Sequence, residues 1–207
     1  MNGRKLSRVA LISMAALACG LVLAAPAAQA RKKVITKTYE VGVGAPSGGT
    51  PIPIPDGGGA AQQLVRDPVY VKGLNPRGKI KNVDVGVRIT HPFASDVEIY
   101  LATPRGVLNM SHDVGGQGNN YGNGFAGCSG GLTTFDSEVP TSIATPGLQA
   151  PFVGFYAPQE SLKFVNGLGG KKANKAVWSL LVMDDNNMHG TGTVDCFKLT
   201  VRETNPR

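Results

Sequence analysis

Val83–Leu101, VDVGVRITHPFASDVEIYL, decides the fold. Val83, Val85, Val87 and Ile89 alternate with Asp84, Gly86, Arg88 and Thr90. A period of two places the apolar set on one face of a strand and the polar set on the other. The turn His91–Val97 follows, with Pro92 and Ser95-Asp96 as turn residues, and the alternation resumes at Val97, Ile99 and Leu101. Two half-buried strands joined by a short turn read as an antiparallel pair from a sandwich or barrel.

The flanking sequence keeps this character. Asn75-Pro76-Arg77-Gly78 is a turn into the strand, and Thr103-Pro104-Arg105-Gly106 is a second tight turn, into Val107–Met110. Val177–Met183 is apolar on both faces, as for an inner strand, and Phe197, Leu199 and Val201 alternate in the last strand. Pro51–Asp56 is extended, because alternate prolines exclude a helix. Gly115–Gly131 is a long glycine- and asparagine-rich loop. It has no following helix and no Gly-Lys-Ser/Thr, so it does not read as a phosphate cradle. With 28 Gly and 14 Pro, and no long segment of helical period, the chain belongs to the all-β class.

The ends have a different composition. Residues 1–30 carry a basic start (Arg4, Lys5, Arg8), an apolar run Val9–Ala25 and the small-x-small site Ala28-Gln29-Ala30, the pattern of a secretory signal peptide. Lipid attachment at Cys19 is the minor alternative. No other apolar run is long enough to span a bilayer, so the expected product is exported, extracytoplasmic and free of the membrane after cleavage. Residues 31–50 read as a basic, mobile lead that can hold a short strand at Val34–Thr38. Residues 51–203 form the domain, and 204–207 a tail. The net charge of +7 belongs to the ends, since Pro51–Glu203 holds thirteen basic and thirteen acidic residues. That balance does not suggest a nucleic-acid-binding face. Cys128 and Cys196 are an even pair in an exported chain, so a disulfide is the default reading and two free thiols the alternative. Its loop of nearly seventy residues would contribute on the order of 4 kcal/mol in the chain-entropy model.

Several short segments, taken in order, resemble one family. Pro53-Ile54-Pro55-Asp56, then Ile89-Thr90-His91-Pro92-Phe93 with Ser95–Gly106, Thr134-Phe135-Asp136, Trp178-Ser179-Leu180 with Asp184, and Gly192-Thr193-Val194 with Leu199-Thr200-Val201 are similar to the P domain, also called the P/Homo B domain. That module follows the catalytic domain in proprotein convertases and bacterial subtilisin-like serine proteases. The resemblance spans Pro51–Glu203 and implies a jelly-roll-like β-sandwich of about eight mainly antiparallel strands. It also implies a non-catalytic module that stabilises, regulates or targets a subtilisin-like serine endopeptidase, here in trans. Phe197 stands where the family has a late Trp, and the two cysteines are outside its general pattern.

The chain itself lacks a protease. His189-Gly190-Thr191 looks superficially like a subtilisin His motif, yet no Ser follows it. His91 and His112 read as turn residues. The candidate site chemistry is calcium: Asp96, Asp136, Asp184, Asp185 and Asn187 are loop oxygen donors of the type that ion takes. Each Asp is equally able to cap its own turn. The rival function is an independent extracellular module for carbohydrate, cell-wall polymer or a matrix protein, with Tyr121, Phe155 and Tyr156 as candidate stacking residues in loops.

Overall fold

The computed structural model describes residues 33–42, 45, 48–57, 64–123 and 127–205. The signal peptide and Cys19 readings lie outside the described residues. Ten strands are described: β1 Lys33–Gly42, β2 Ile52–Ile54, β3 Val65–Tyr70, β4 Lys79–Thr90, β5 Val97–Thr103, β6 Gly106–Ser111, β7 Thr133–Asp136, β8 Gly154–Tyr156, β9 Val177–Asp184 and β10 Gly192–Asn205. They form an all-β sandwich. One sheet, A, has six strands in the order β1-β10-β4-β7-β8, with β2 also on β10; the other, B, has four in the order β3-β9-β5-β6. All pairs are antiparallel except β7 with β8. The helical pieces are single turns, Ala94–Asp96, Leu162–Val165 and Gly170–Ala173.

The alternation in Val83–Leu101 builds the core as expected. Val83, Val85, Val87 and Ile89 are fully buried, as are Val97, Ile99 and Leu101. Each such side chain contributes roughly 1.5–3 kcal/mol by leaving water. Phe197, Leu199 and Val201 stand beside Val87, Val85 and Val83 in register, and Trp178, Leu180 and Val182 supply the opposite wall. The pairing expected between the two halves of that stretch is corrected. β4 pairs with β10 and β7, while β5 pairs with β9 and β6. His91–Asp96 is therefore a corner between sheets, not a hairpin. Both apolar faces still meet, but across the core.

The basic lead is also more ordered than its composition suggests. Its expected short strand runs ten residues, Lys33–Gly42, hydrogen-bonded along β10 from Asn205 to Cys196. Alternate polar residues gave little apolar signal there. The strand exists because β10 offers it a complete ladder of backbone partners. The expected tail starts too early for the same reason, since β10 extends to Asn205.

Asp67 is an irregularity in the core. It lies in register with Leu180, which lies in register with Leu101, and it is 3% exposed. Burial pushes its carboxyl up to about 6. The unfolded chain gives up this proton near pH 4. Stability therefore falls as pH rises from about 4 to about 6, and stays lower above that range. Asp67→Asn should raise the melting temperature at neutral pH and lose that advantage near pH 4. Thermal melts of both proteins at the two pH values check this, and an equal gain at both would contradict it.

Candidate functional site

The two corners between sheets, His91–Asp96 after β4 and Asp185–Thr191 after β9, lock onto each other. His91 Nε2 lies 3.0 Å from Asp184 Oδ2, with both side chains buried. His91 Nδ1 lies 2.7 Å from the Phe93 carbonyl. The Phe93 amide also reaches Nδ1, at 3.2 Å, so both ring nitrogens are engaged. In the reverse direction, His189 Nδ1 lies 2.7 Å from Asp96 Oδ2, and its ring stacks on Phe93 with centroids 3.9 Å apart. The Asp185 amide donates to the Asp96 carbonyl at 3.0 Å, and Asp184 Oδ1 accepts from the Asn186 amide at 2.9 Å. Two of the calcium candidates, Asp96 and Asp184, thus each meet a histidine. Among the described residues, neither ring hydrogen-bonds a serine hydroxyl.

The five calcium candidates do not assemble into one set. Asp136 pairs in register with Asp84, six residues back from the corner along β4. That distance is roughly 20 Å at about 3.3 Å per residue. Its Oδ1 caps a turn, accepting from the Glu138 amide at 2.8 Å. Asn187 is exposed in the loop after β9. Asp185 faces a different group. Burial pushes its carboxyl up, and the charges of Glu98, Asp113, Asp96 and Asp184 push it further. Glu98 is buried, with His112 Nε2 2.5 Å from its Oε1 and His112 Nδ1 3.2 Å from Asp113 Oδ2. The Tyr100 hydroxyl donates to Glu98 Oε2, and burial together with that carboxylate pushes it up to about 12. Glu98, His112 and Asp113 each present one donor atom within 4.8 Å of the others. One imidazole and two carboxylates suit a borderline divalent ion better than calcium, which takes six to eight oxygens. The spacing in sequence hid this group, because Glu98 sits inside a strand and only the β5–β6 hairpin brings His112 back to it.

Of the three aromatic candidates, only Phe155 is presented to solvent, at 62% exposed. Tyr121 is fully buried: its hydroxyl meets Ser111 at 2.9 Å and its ring packs on Phe152 at 5.1 Å. Tyr156 is half-buried and edge-on to Phe152 at 5.7 Å. Both are corrections, and they share a cause. Tyr121 bridges Ile89 at the end of β4, which draws the loop down onto the sheet. Arg88 holds the same loop. It is 1% exposed, and its guanidinium donates to the carbonyls of Gly127 and Gly130 and, at 3.0 Å, to Asn123 Oδ1. Cys196, its register partner on β10, carries the disulfide to Cys128. Two neighbouring positions on adjacent strands thus fasten the glycine-rich loop across the outer face of sheet A. A water-facing slot in β4 was the expectation for Arg88. A glycine-rich loop has few side chains to satisfy its carbonyls, which is the signal that an arginine belonged beneath it.

Removing one member of the buried corner pair leaves the other without its partner. Asp184→Ala should cost about 3 kcal/mol, whereas Asp136→Asn, which also relieves repulsion with Asp84, should change stability by under about 1 kcal/mol. Urea denaturation of the three proteins measures the difference; equal effects would mean the corner pair is not a fastening. No protein-family model matches the chain, and no curated protein matches it either.

Proposed function

We propose that the chain is an exported, non-catalytic module that docks onto a partner protein through the outer face of sheet B. The partner class that the P-domain resemblance suggests is a subtilisin-like serine protease supplied by another chain. The observation that carries this reading is the composition of that face. Tyr70, Val177 and Val107 are 63%, 38% and 57% exposed. Val177 is in register with Tyr70, and Ala102 with Ser179 and Val107. The next row along, Leu181 and Tyr100, is half-buried. Apolar side chains on the solvent side of an antiparallel sheet depart from the usual inward-apolar, outward-polar pattern. Exposed apolar groups on a sheet face are a common mark of a protein contact surface. Arg66 lies on the same face, its Nε donating to the buried Ser179 Oγ at 3.0 Å, so the surface offers a cation beside its apolar groups.

One further observation agrees with a module acting outside the cytoplasm. The disulfide Cys128–Cys196 fits an oxidising compartment. No helix among the described residues is long and apolar enough to cross a membrane.

The test is recovery of a protease. Tagged protein incubated in native culture supernatant should retain a band that reacts with a fluorophosphonate probe. The double variant Tyr70→Asp with Val177→Asp should retain at least fivefold less. Recovery of no labelled band, or equal recovery by the variant, would defeat this reading. Serine-reagent-sensitive peptidase activity of the purified chain would defeat its non-catalytic part.

A further inference from the structure

The outer face of sheet A holds a separate cleft of about 380 Å³, lined by strand residues of β4, β7, β8 and β10 together with the disulfide loop. Its floor follows from the register. Lys198 on β10, Gly86 on β4, Thr134 on β7 and Phe155 on β8 form one row across four strands, and Thr200 with Asp84 forms the next. Gly86 is the one outward position of β4 without a side chain, and Leu132 Cδ1 and Lys198 Cβ lie 3.0 and 3.4 Å from where its Cβ would stand. Glycine inside a strand marks a close approach to the backbone, made here by Leu132, so the base of the cleft is apolar. Phe155 and Val153, 62% and 46% exposed, form one wall, and Leu132 with Cys128 forms the opposite wall.

The chemistry of this cleft narrows its occupant. A peptide strand adding to the sheet would need a free backbone ladder, but β10, β4 and β7 are each paired on both sides. An anion would meet Asp84 with Asp136 in the adjacent slot, and the ammonium of Lys198 is already engaged by Glu40 at 2.7 Å. A purely apolar ligand would cover Thr134 and Thr200 without hydrogen bonds, whereas Asp84 would keep its bond from Asn82 Nδ2 at 2.7 Å. What remains is a neutral ring with an apolar face and a rim of hydroxyls. Its C–H face would lie against the Phe155 ring, and its hydroxyls would donate to Asp84 and exchange hydrogen bonds with Thr134 and Thr200. We infer that the cleft over Gly86 is a binding site for a short neutral saccharide segment, with Phe155 as its stacking platform. The volume is at the lower end of the range for small-ligand pockets, ~300–1,000 Å³, which suits a few sugar rings rather than a buried polymer. This site lies on the opposite sheet from the proposed protein-docking face, so either can fail without the other.

The probes are cellohexaose, maltohexaose and chitohexaose, titrated into the folded mature chain by calorimetry, with backbone amide chemical shifts followed in parallel. Binding of at least one probe is expected, with shifts at Gly86, Thr134 and Thr200. Phe155→Ala should weaken that binding at least tenfold, Phe155→Tyr should keep it within threefold, and Tyr70→Asp on the other sheet should leave it unchanged. Gly86→Val should abolish it by filling the floor. Phe155 is largely exposed and its truncation leaves the core intact, so the outcome does not depend on whether the Gly86 variant folds. Absence of binding to all three saccharides, or binding that Phe155→Ala leaves intact, would overturn the inference.

Discussion

The sandwich depends on two chain reversals that carry the backbone from one sheet to the other at the same end of the molecule. β4 crosses to β5 there, and β9 crosses back to β10. Hydrogen bonding within a sheet cannot hold such corners, because the strands they join belong to different ladders. The pairs His91–Asp184 and His189–Asp96 supply that tie, each taking one member from each corner. The first is wholly buried and the second is partly open, so they differ in kind. A buried hydrogen-bonded polar pair gains little net energy over an apolar replacement, but it is costly to break and it has a defined geometry. Its value here is positional: it fixes which loop lies against which, and apolar packing alone would tolerate several alternatives.

The corner residues thus have an architectural task that accounts for their types and positions. The histidines and aspartates look like a catalytic constellation in one dimension. In three dimensions their ring nitrogens and carboxylate oxygens face one another and nearby backbone groups. The corners in turn hold the two sheet surfaces in place. The two outer faces differ sharply. Sheet B presents Tyr70, Val177 and Val107 openly, whereas sheet A is crossed by a loop fastened through Arg88 and Cys196. A large flat apolar face suits a protein, and a bounded recess suits a small ring.

The core was legible in the sequence because burial imposes a period of two, and Val83–Ile89, Val97–Leu101 and Phe197–Val201 all display it. Sheet membership was not, because alternation reports which face is buried and says nothing about the neighbouring strand. The same alternation describes a hairpin and a corner equally well. The full length of β1, expected only over Val34–Thr38, and the whole of β8 escaped for a related reason: an edge strand, or a three-residue strand, is held by backbone pairing and needs no apolar stripe. The candidate calcium set came apart because Asp and Asn mark turns wherever turns occur. Residue type alone cannot distinguish a turn cap such as Asp136 from a ligand. Phe155 and Tyr156 were expected in a loop, but both lie in β8, where strand alternation turns Phe155 outward and Tyr156 toward Phe152.

Gly86 illustrates how a position can be invisible in sequence and decisive in structure. In the alternating run it occupies an outward slot, where almost any polar residue would satisfy the pattern. Valine or threonine there would favour the strand more. Stability alone therefore argues against glycine at that position, in the middle of a strand paired on both sides. The position is occupied on its outer side by Leu132 and Lys198 at distances that leave a Cβ no comfortable room. Packing thus accounts for the glycine: it lets Leu132 rest against the strand backbone, and the exposed Phe155 with Thr134 and Thr200 lines the same cleft around that contact.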